Sequence, residues 1–208
     1  MHSKLTPTYL LILIPFLLLV SCKHSRKAPS IDLIGHDVPD IPNQEARALF
    51  QSGLNDIEKR DYGAARESFS EANKICPNNP EILNGIGATF SQTGNPTRGI
   101  EYFERALKID SNFFHAYANL GASLNQMGQF AEAKRIFNLG LARPKANRFY
   151  RSEILFNLAN SYYQEEDYDS SLVFLDSAKR TSGPGKMYDM VIRAENDIHS
   201  KMPLPIKR

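Results

Sequence analysis

A few side chains in this sequence have types that could do chemistry. Glu165-Glu166-Asp167 puts carboxylates side by side, as general acid and base catalysis of hydrolysis requires, but no histidine or nucleophile joins them in a recognisable constellation. Gly85-Ile86-Gly87 looks like the start of a phosphate-cradling glycine fingerprint, yet it lies inside a helical pattern with no strand before it. His115 has no second histidine or carboxylate at ligand spacing, so no metal site is expected, and nothing calls for a cofactor. The remaining chemistry is that of binding. An Asn or Gln amide offers two donors and an acceptor, which match the alternating carbonyls and amides of an extended peptide whatever its side chains.

The start of the chain reads as an export signal. Lys4 is the only charged residue before the apolar run Leu10 to Val20, which is about half of the roughly 20 residues a spanning helix needs and is interrupted by Pro15. Leu19-Val20-Ser21-Cys22 resembles the lipobox of bacterial lipoproteins. The resemblance implies a signal peptide over 1–21, lipidation of Cys22 and a membrane anchor held by several acyl chains. By analogy with enterobacterial lipoproteins, Lys23 in place of an aspartate favours the outer membrane, facing the periplasm. The cations of Lys23 to Lys27 either lie against anionic headgroups or begin a solvated tether. Residues 22–42, with Pro29, Gly35, Pro39 and Pro42, are expected to be that tether, with a reach on the order of 65 Å. Only Cys76 would remain once Cys22 is lipidated, leaving no intramolecular disulfide, and just before Pro77 it reads as small apolar filler. Removing Lys4 with the signal takes the formal charge from +2 to +1, a balance that gives no support to nucleic-acid binding.

The elements that must carry these groups repeat. Phe69, Phe103 and Phe137 recur at intervals of thirty-four residues, with Gly53, Gly87 and Gly121, then Ala65, Gly99 and Ala133, then Ala72, Ala106 and Gly140 at the same interval. Small residues let antiparallel helices approach while the aromatic fills the space between them, so the pattern predicts stacked helical hairpins. Asp61, Asn95 and Asp167 are expected to cap second helices, with Pro96 at a first helical position. After Gly183-Pro184-Gly185, the spacing of Met187, Met190, Val191, Ala194 and Ile198 predicts an amphipathic helix that covers the last repeat.

These residues resemble the tetratricopeptide repeat. The match is carried by Leu83, Gly87, Gly99, Phe103 and Ala106 in one unit and by Tyr117, Leu120, Gly121, Ala133, Phe137 and Gly140 in the next. An earlier unit keeps Gly53, Tyr62, Ala65, Phe69 and Ala72, and a later one, four residues late, has Leu158, Ala159, Tyr162, Ser171, Leu175 and Ala178. The resemblance implies an all-α fold: a tetratricopeptide α-solenoid of about four helix-turn-helix repeats at 46–79, 80–113, 114–147 and 152–185, within an array over 43–183. A capping helix over 185–201 and a tail over 202–208 would follow.

It also implies a concave groove lined by first helices. That groove would present Asn84, Asn119, Asn125, Gln126, Asn157, Asn160 and Gln164, with Phe50, Phe156 and Tyr163 toward its ends. The amides resemble the asparagine ladders by which some family members hold peptide backbones; alternatively they satisfy local backbone. The family's other mode, a cationic clamp on a C-terminal carboxylate, is not matched, because Glu81, His115 and Glu153 stand where cations would be needed. Arg143, Lys145, Arg148 and Arg151 surround the four-residue insertion and form either a solvated loop or a docking site for an acidic surface. The expected function is a scaffold or adaptor that holds a peptide or protein partner in an envelope assembly such as pilus, outer-membrane assembly or cell-wall machinery. The alternative is a membrane-surface enzyme or the activating subunit of a hydrolase.

Overall fold

The computed structural model describes residues 40–144 and 147–202. Cys22, the signal segment 1–21, most of the tether, Lys145 and nearly all of the tail lie outside the described residues. Within them stand nine helices: α1 Gln44–Glu58, α2 Tyr62–Ile75, α3 Pro80–Gln92, α4 Pro96–Ile109, α5 Phe114–Gln126, α6 Phe130–Leu141, α7 Arg148–Gln164, α8 Tyr168–Ser182 and α9 Lys186–Lys201. They pair as α1 with α2, α3 with α4, α5 with α6 and α7 with α8, and each pair stacks on the next. Helices α1, α3, α5, α7 and α9 also touch in succession, forming one row, while α2, α4, α6 and α8 alternate with them.

The pairing follows from the glycine and phenylalanine pattern. Phe69, Phe103 and Phe137 are wholly buried. A Cβ added to Gly53, Gly87 or Gly121 would come within 2.5, 2.6 and 2.3 Å of the ring in its own hairpin, so each glycine is the recess for its aromatic. In the fourth pair Ala159 and Leu175, both buried, fill the same space from the opposite division of volume.

All four hairpin turns are built alike. In Lys59-Arg60-Asp61, Thr93-Gly94-Asn95, Met127-Gly128-Gln129 and Glu165-Glu166-Asp167 the middle residue has φ between 61° and 83°. The third residue's N–H donates back to the first helix, as Asn95 to Phe90 O at 2.9 Å and Asp167 to Tyr162 O at 3.0 Å. This is the Schellman closure of a helix C-terminus. The same third residue opens the second helix: Asp61, Asn95 and Asp167 accept from Ala64, Arg98 and Ser170 N–H, as expected, whereas Gln129 makes no side-chain cap.

The linkers between pairs differ. Helix α7 has 17 residues against 13 in α3 and α5, and begins at Arg148, so the four inserted residues became an extra first turn instead of a loop. Four residues are close to the 3.6 of one turn, so Leu158 and Ala159 keep their inward phase. The extra turn carries Tyr150, whose ring stacks on Phe114 at 5.5 Å and meets His115 edge-on at 4.7 Å.

One expectation is corrected here. The tether does not extend to 42: Ile41 is wholly buried, its carbonyl accepts from Arg47 Nε at 2.9 Å, and Asp40 O accepts from Asn79 Nδ2 at 2.8 Å. Cys76, 1% exposed, packs with Phe69, Ala72 and Ile82 as the apolar filler expected of it.

Candidate interaction groove

The α1, α3, α5, α7, α9 row positions the amides, and it uses several of them internally. Asn119 Nδ2 donates to Asn84 Oδ1 at 2.9 Å, joining α5 to α3. Asn125 joins α5 to α7: its Oδ1 accepts from Ser161 Oγ at 3.0 Å and its Nδ2 reaches Asn157 O at 3.5 Å. Gln126 Nε2 reaches Ser91 O at 3.5 Å while remaining exposed. The two shorter bonds, Asn119 to Asn84 and Ser161 to Asn125, each satisfy a group at a helix junction and add about 1 kcal/mol. Asn157 is half-buried, and Asn160 and Gln164 are exposed.

Two hollows follow from this arrangement. Between α3 and α5 a space of about 280 Å³ is lined by Ala88, Ser91, Gln92, Phe103, Asn119, Ala122, Ser123 and Gln126. The Ser91 and Ser123 hydroxyls bond each other at 2.8 Å beside it. Its walls are amides, hydroxyls, alanine methyls and the Phe103 ring, with no ionised group among them. The second, about 200 Å³, lies between α7, α8 and α9; it is lined by Phe156, Ala159, Asn160 and Tyr163 and closed by Ala194, Asp197 and Ile198. Tyr163 donates to Asp197 Oδ2 at 2.6 Å, and Lys201 contacts both the Tyr163 hydroxyl and, at 3.1 Å, Asp197. Helix α9 therefore stands where the first helix of a fifth repeat would stand and covers that end of the row.

Phe50 is not a groove residue. It is 5% exposed, with its ring 5.2 Å from Phe69, because a residue three before Gly53 shares the glycine's inward face. The serines and alanines of the α3/α5 hollow escaped the sequence reading. Their signal was Thr89, Ser123 and Ser161, hydroxyls at one repeat position, all buried.

The other chemistry-bearing residues take structural places. Gly85 and Gly87 lie within α3, close against Phe69 and Phe103. Glu165 pairs with Lys134, whose ammonium also lies 4.4 Å over the Tyr162 ring. Glu166 is the turn residue with φ 62°, and Asp167 caps α8. The Asp167 carboxyl is held below its usual range by the Ser170 side-chain and backbone hydrogen bonds, with Lys134 adding attraction. Glu153, half-buried near the start of α7, is pushed up by burial. His115 is half-buried against aromatic rings instead of projecting freely.

The basic run is not wholly a loop. Arg148 and Arg151 belong to the first turn of α7, and Arg151 reaches back to Leu141 O at 3.3 Å. Arg143 donates from Nε to the Tyr117 hydroxyl at 2.9 Å. Lys145 is outside the described residues.

Among the described residues no three His, Cys, Asp or Glu side chains gather in a metal-binding group, and no helix is long and apolar enough to cross a membrane.

Family models described as tetratricopeptide repeat match residues 80–113 and 102–135. The small glutamine-rich tetratricopeptide repeat-containing protein 2 of Mycosarcoma maydis is 33% identical over 103 residues, 50% of this chain and 29% of that protein. The heat-shock protein cognate co-chaperone sgt12 of Aspergillus fumigatus is 26% identical over 100 residues, 48% of this chain and 29% of that protein. The chain thus spans less than a third of the length of these curated relatives.

Among solved structures, Pseudomonas aeruginosa pilF superposes with TM-score 0.66 at 18% identity, covering 76% of this chain and 69% of the other. YrrB, a tetratricopeptide protein described as having an unusual peptide-binding site, gives 0.55 at 20%, covering 76% and 77%. The Sgt2 repeat domain of Aspergillus fumigatus gives 0.53 at 21%, covering 70% and 88%. These likenesses bear on the fold. With four stacked hairpins, their glycine recesses and the two repeat matches, the chain is a tetratricopeptide-repeat protein.

Proposed function

We propose that the protein is a scaffold for protein-protein interaction, which takes an extended, uncharged stretch of a partner peptide between α3 and α5. The observation that carries this reading is the polar, charge-free hollow formed by Asn119, Gln126, Gln92 and the paired serines over small residues. Amides and hydroxyls there can meet peptide carbonyls and N–H groups without selecting a charged side chain. The YrrB likeness, a peptide-binding tetratricopeptide protein by its description, is consistent with this use of the fold.

In the same proposal Cys22 is lipidated and holds the scaffold at a bacterial envelope membrane, facing the periplasm. The outer membrane is favoured, and the setting is an envelope assembly of the pilus, outer-membrane or cell-wall kind. The support is the apolar run followed by Leu19-Val20-Ser21-Cys22, together with the pilF likeness in fold. A thioether at Cys22 and a disulfide through it exclude each other, and the chain has two cysteines. The mass of the N-terminal peptide therefore decides the point: acyl chains on Cys22 are expected, and a reducible link to Cys76 would overturn the anchor.

Groove binding is tested by crosslinking in intact cells followed by mass spectrometry. Ala122→Arg puts charge and bulk into the hollow and is expected to remove the crosslinked partner, whereas Val173→Arg on exposed α8 surface is expected to leave it. Unchanged crosslinking by Ala122→Arg would sink the groove assignment.

A further inference from the structure

A cluster on the other side of α3 lacks its counter-charge. The Phe90 and Tyr102 rings stack at 5.7 Å. Arg66 of α2 and Arg98 of α4 both lie over Phe90, at 4.9 and 4.4 Å, and Arg105 lies over Tyr102 at 5.3 Å. None of the three guanidinium groups is among the ion pairs or side-chain hydrogen bonds of the described residues. Glu101 stands at helical spacing from both Arg98 and Arg105, yet pairs with neither.

The repeat supplies an internal control. Tyr162 and Phe174 stack at 5.2 Å in the place of Phe90 and Tyr102, and Lys134 sits 4.4 Å over Tyr162 as Arg66 sits over Phe90. There the cation is neutralised by Glu165, the residue at the α7 C-cap. The corresponding C-cap of α3 is Thr93, which cannot carry charge, and Arg98 adds a second cation where the later repeat has Ser170. The same framework is thus closed at one copy and open at the other. A guanidinium stacked on a ring keeps its N–H edge free for bidentate contact with a carboxylate.

We propose that this cluster docks an acidic segment of a partner protein, whose Glu or Asp carboxylate takes, against Arg66 and Arg98, the place that Glu165 takes against Lys134. The internal control favours a protein segment over lipid headgroups, because the anion that meets the ring-stacked cation in the equivalent framework is a glutamate side chain. This surface is separate from the α3/α5 groove.

The test is a titration of the full-length protein with a short polyglutamate peptide, followed by the backbone amide signals. Binding is expected to shift signals around Thr93 to Arg98 and Arg66 and to fade as salt rises toward about 0.5 M. Arg66→Gln and Arg98→Gln should each weaken it about two- to fivefold, as for exposed charge pairs. Thr93→Glu, which recreates the Glu165 arrangement, should weaken it by at least about fivefold. Lys134→Gln should leave it unchanged. Circular dichroism checks that Thr93→Glu folds; if it does not, the two arginine variants decide. No response to polyglutamate, an equal response to polylysine, shifts confined to other surfaces, or full binding by both arginine variants overturns the proposal. A response to phosphatidylglycerol vesicles with none to polyglutamate also overturns it and assigns the cluster to a membrane.

Discussion

Replacing Gly121 by alanine should destabilise the protein, and replacing Phe137 by leucine at the same time should restore most of the loss. A Cβ at Gly121 would lie 2.3 Å from Cε1 and 2.4 Å from Cζ of Phe137, well inside contact distance, and that ring is wholly buried with nowhere to withdraw. Overpacking of this kind costs about 1–3 kcal/mol, while alanine's greater helix propensity returns about 1 kcal/mol, so a net loss of up to about 2 kcal/mol is expected. Phe137→Leu alone opens a cavity and should cost about 1–2 kcal/mol. In the double variant the methyl enters the space the ring left, and the propensity gain remains. The fourth hairpin already holds this combination in Ala159 and Leu175. The two changes should therefore couple favourably by about 2 kcal/mol, measured by urea unfolding followed at the helical ellipticity for both singles, the double and the unaltered protein. Additivity within about 0.5 kcal/mol would refute the view that glycine and ring divide one shared volume.

Glu153 gives a pH prediction. Burial raises its folded pKa above the unfolded value, so its ionised form opposes folding: stability falls as pH rises from the ordinary glutamate range through the raised value. Glu153→Gln should stabilise the protein at neutral pH, and the advantage should vanish below the ordinary carboxylate range; thermal melting across that range checks it. Gln129 heads α6 without a side-chain cap, unlike its three counterparts. Gln129→Asp should add about 1 kcal/mol, read as a higher urea midpoint, and no change would mean that the turn geometry denies the cap.

The array was legible because its defining pairs are short in sequence and complementary in size. Gly53 and Phe69, or Gly87 and Phe103, mark each hairpin on their own, and the caps at Asp61, Asn95 and Asp167 are local as well. What was not legible depends on contacts between hairpins. Asn119 could be placed beside Asn84 only once the spacing of α3 and α5 was known, and their bond decides how much of the amide row is free. Arg148 and Arg151 read as loop because their charges hide a helical turn, whose cause is Tyr150 packing on Phe114 and His115. Arg66 and Phe90 are far apart in sequence, so no period brings them together. Phe50 is a different kind of miss: its spacing from Gly53 already pointed it inward.

The four hairpin turns share one construction, whereas the connections between hairpins do not. One linker ends in an extra turn of α7, and another runs through Gly183-Pro184-Gly185. Each hairpin is therefore a tile of fixed angle, and the curvature of the whole ribbon is written along a single spine, the edge where tile meets tile. A residue gained or lost along that spine alters how wide the ribbon opens while every tile keeps its shape. The same change in a hairpin turn would break the tile itself.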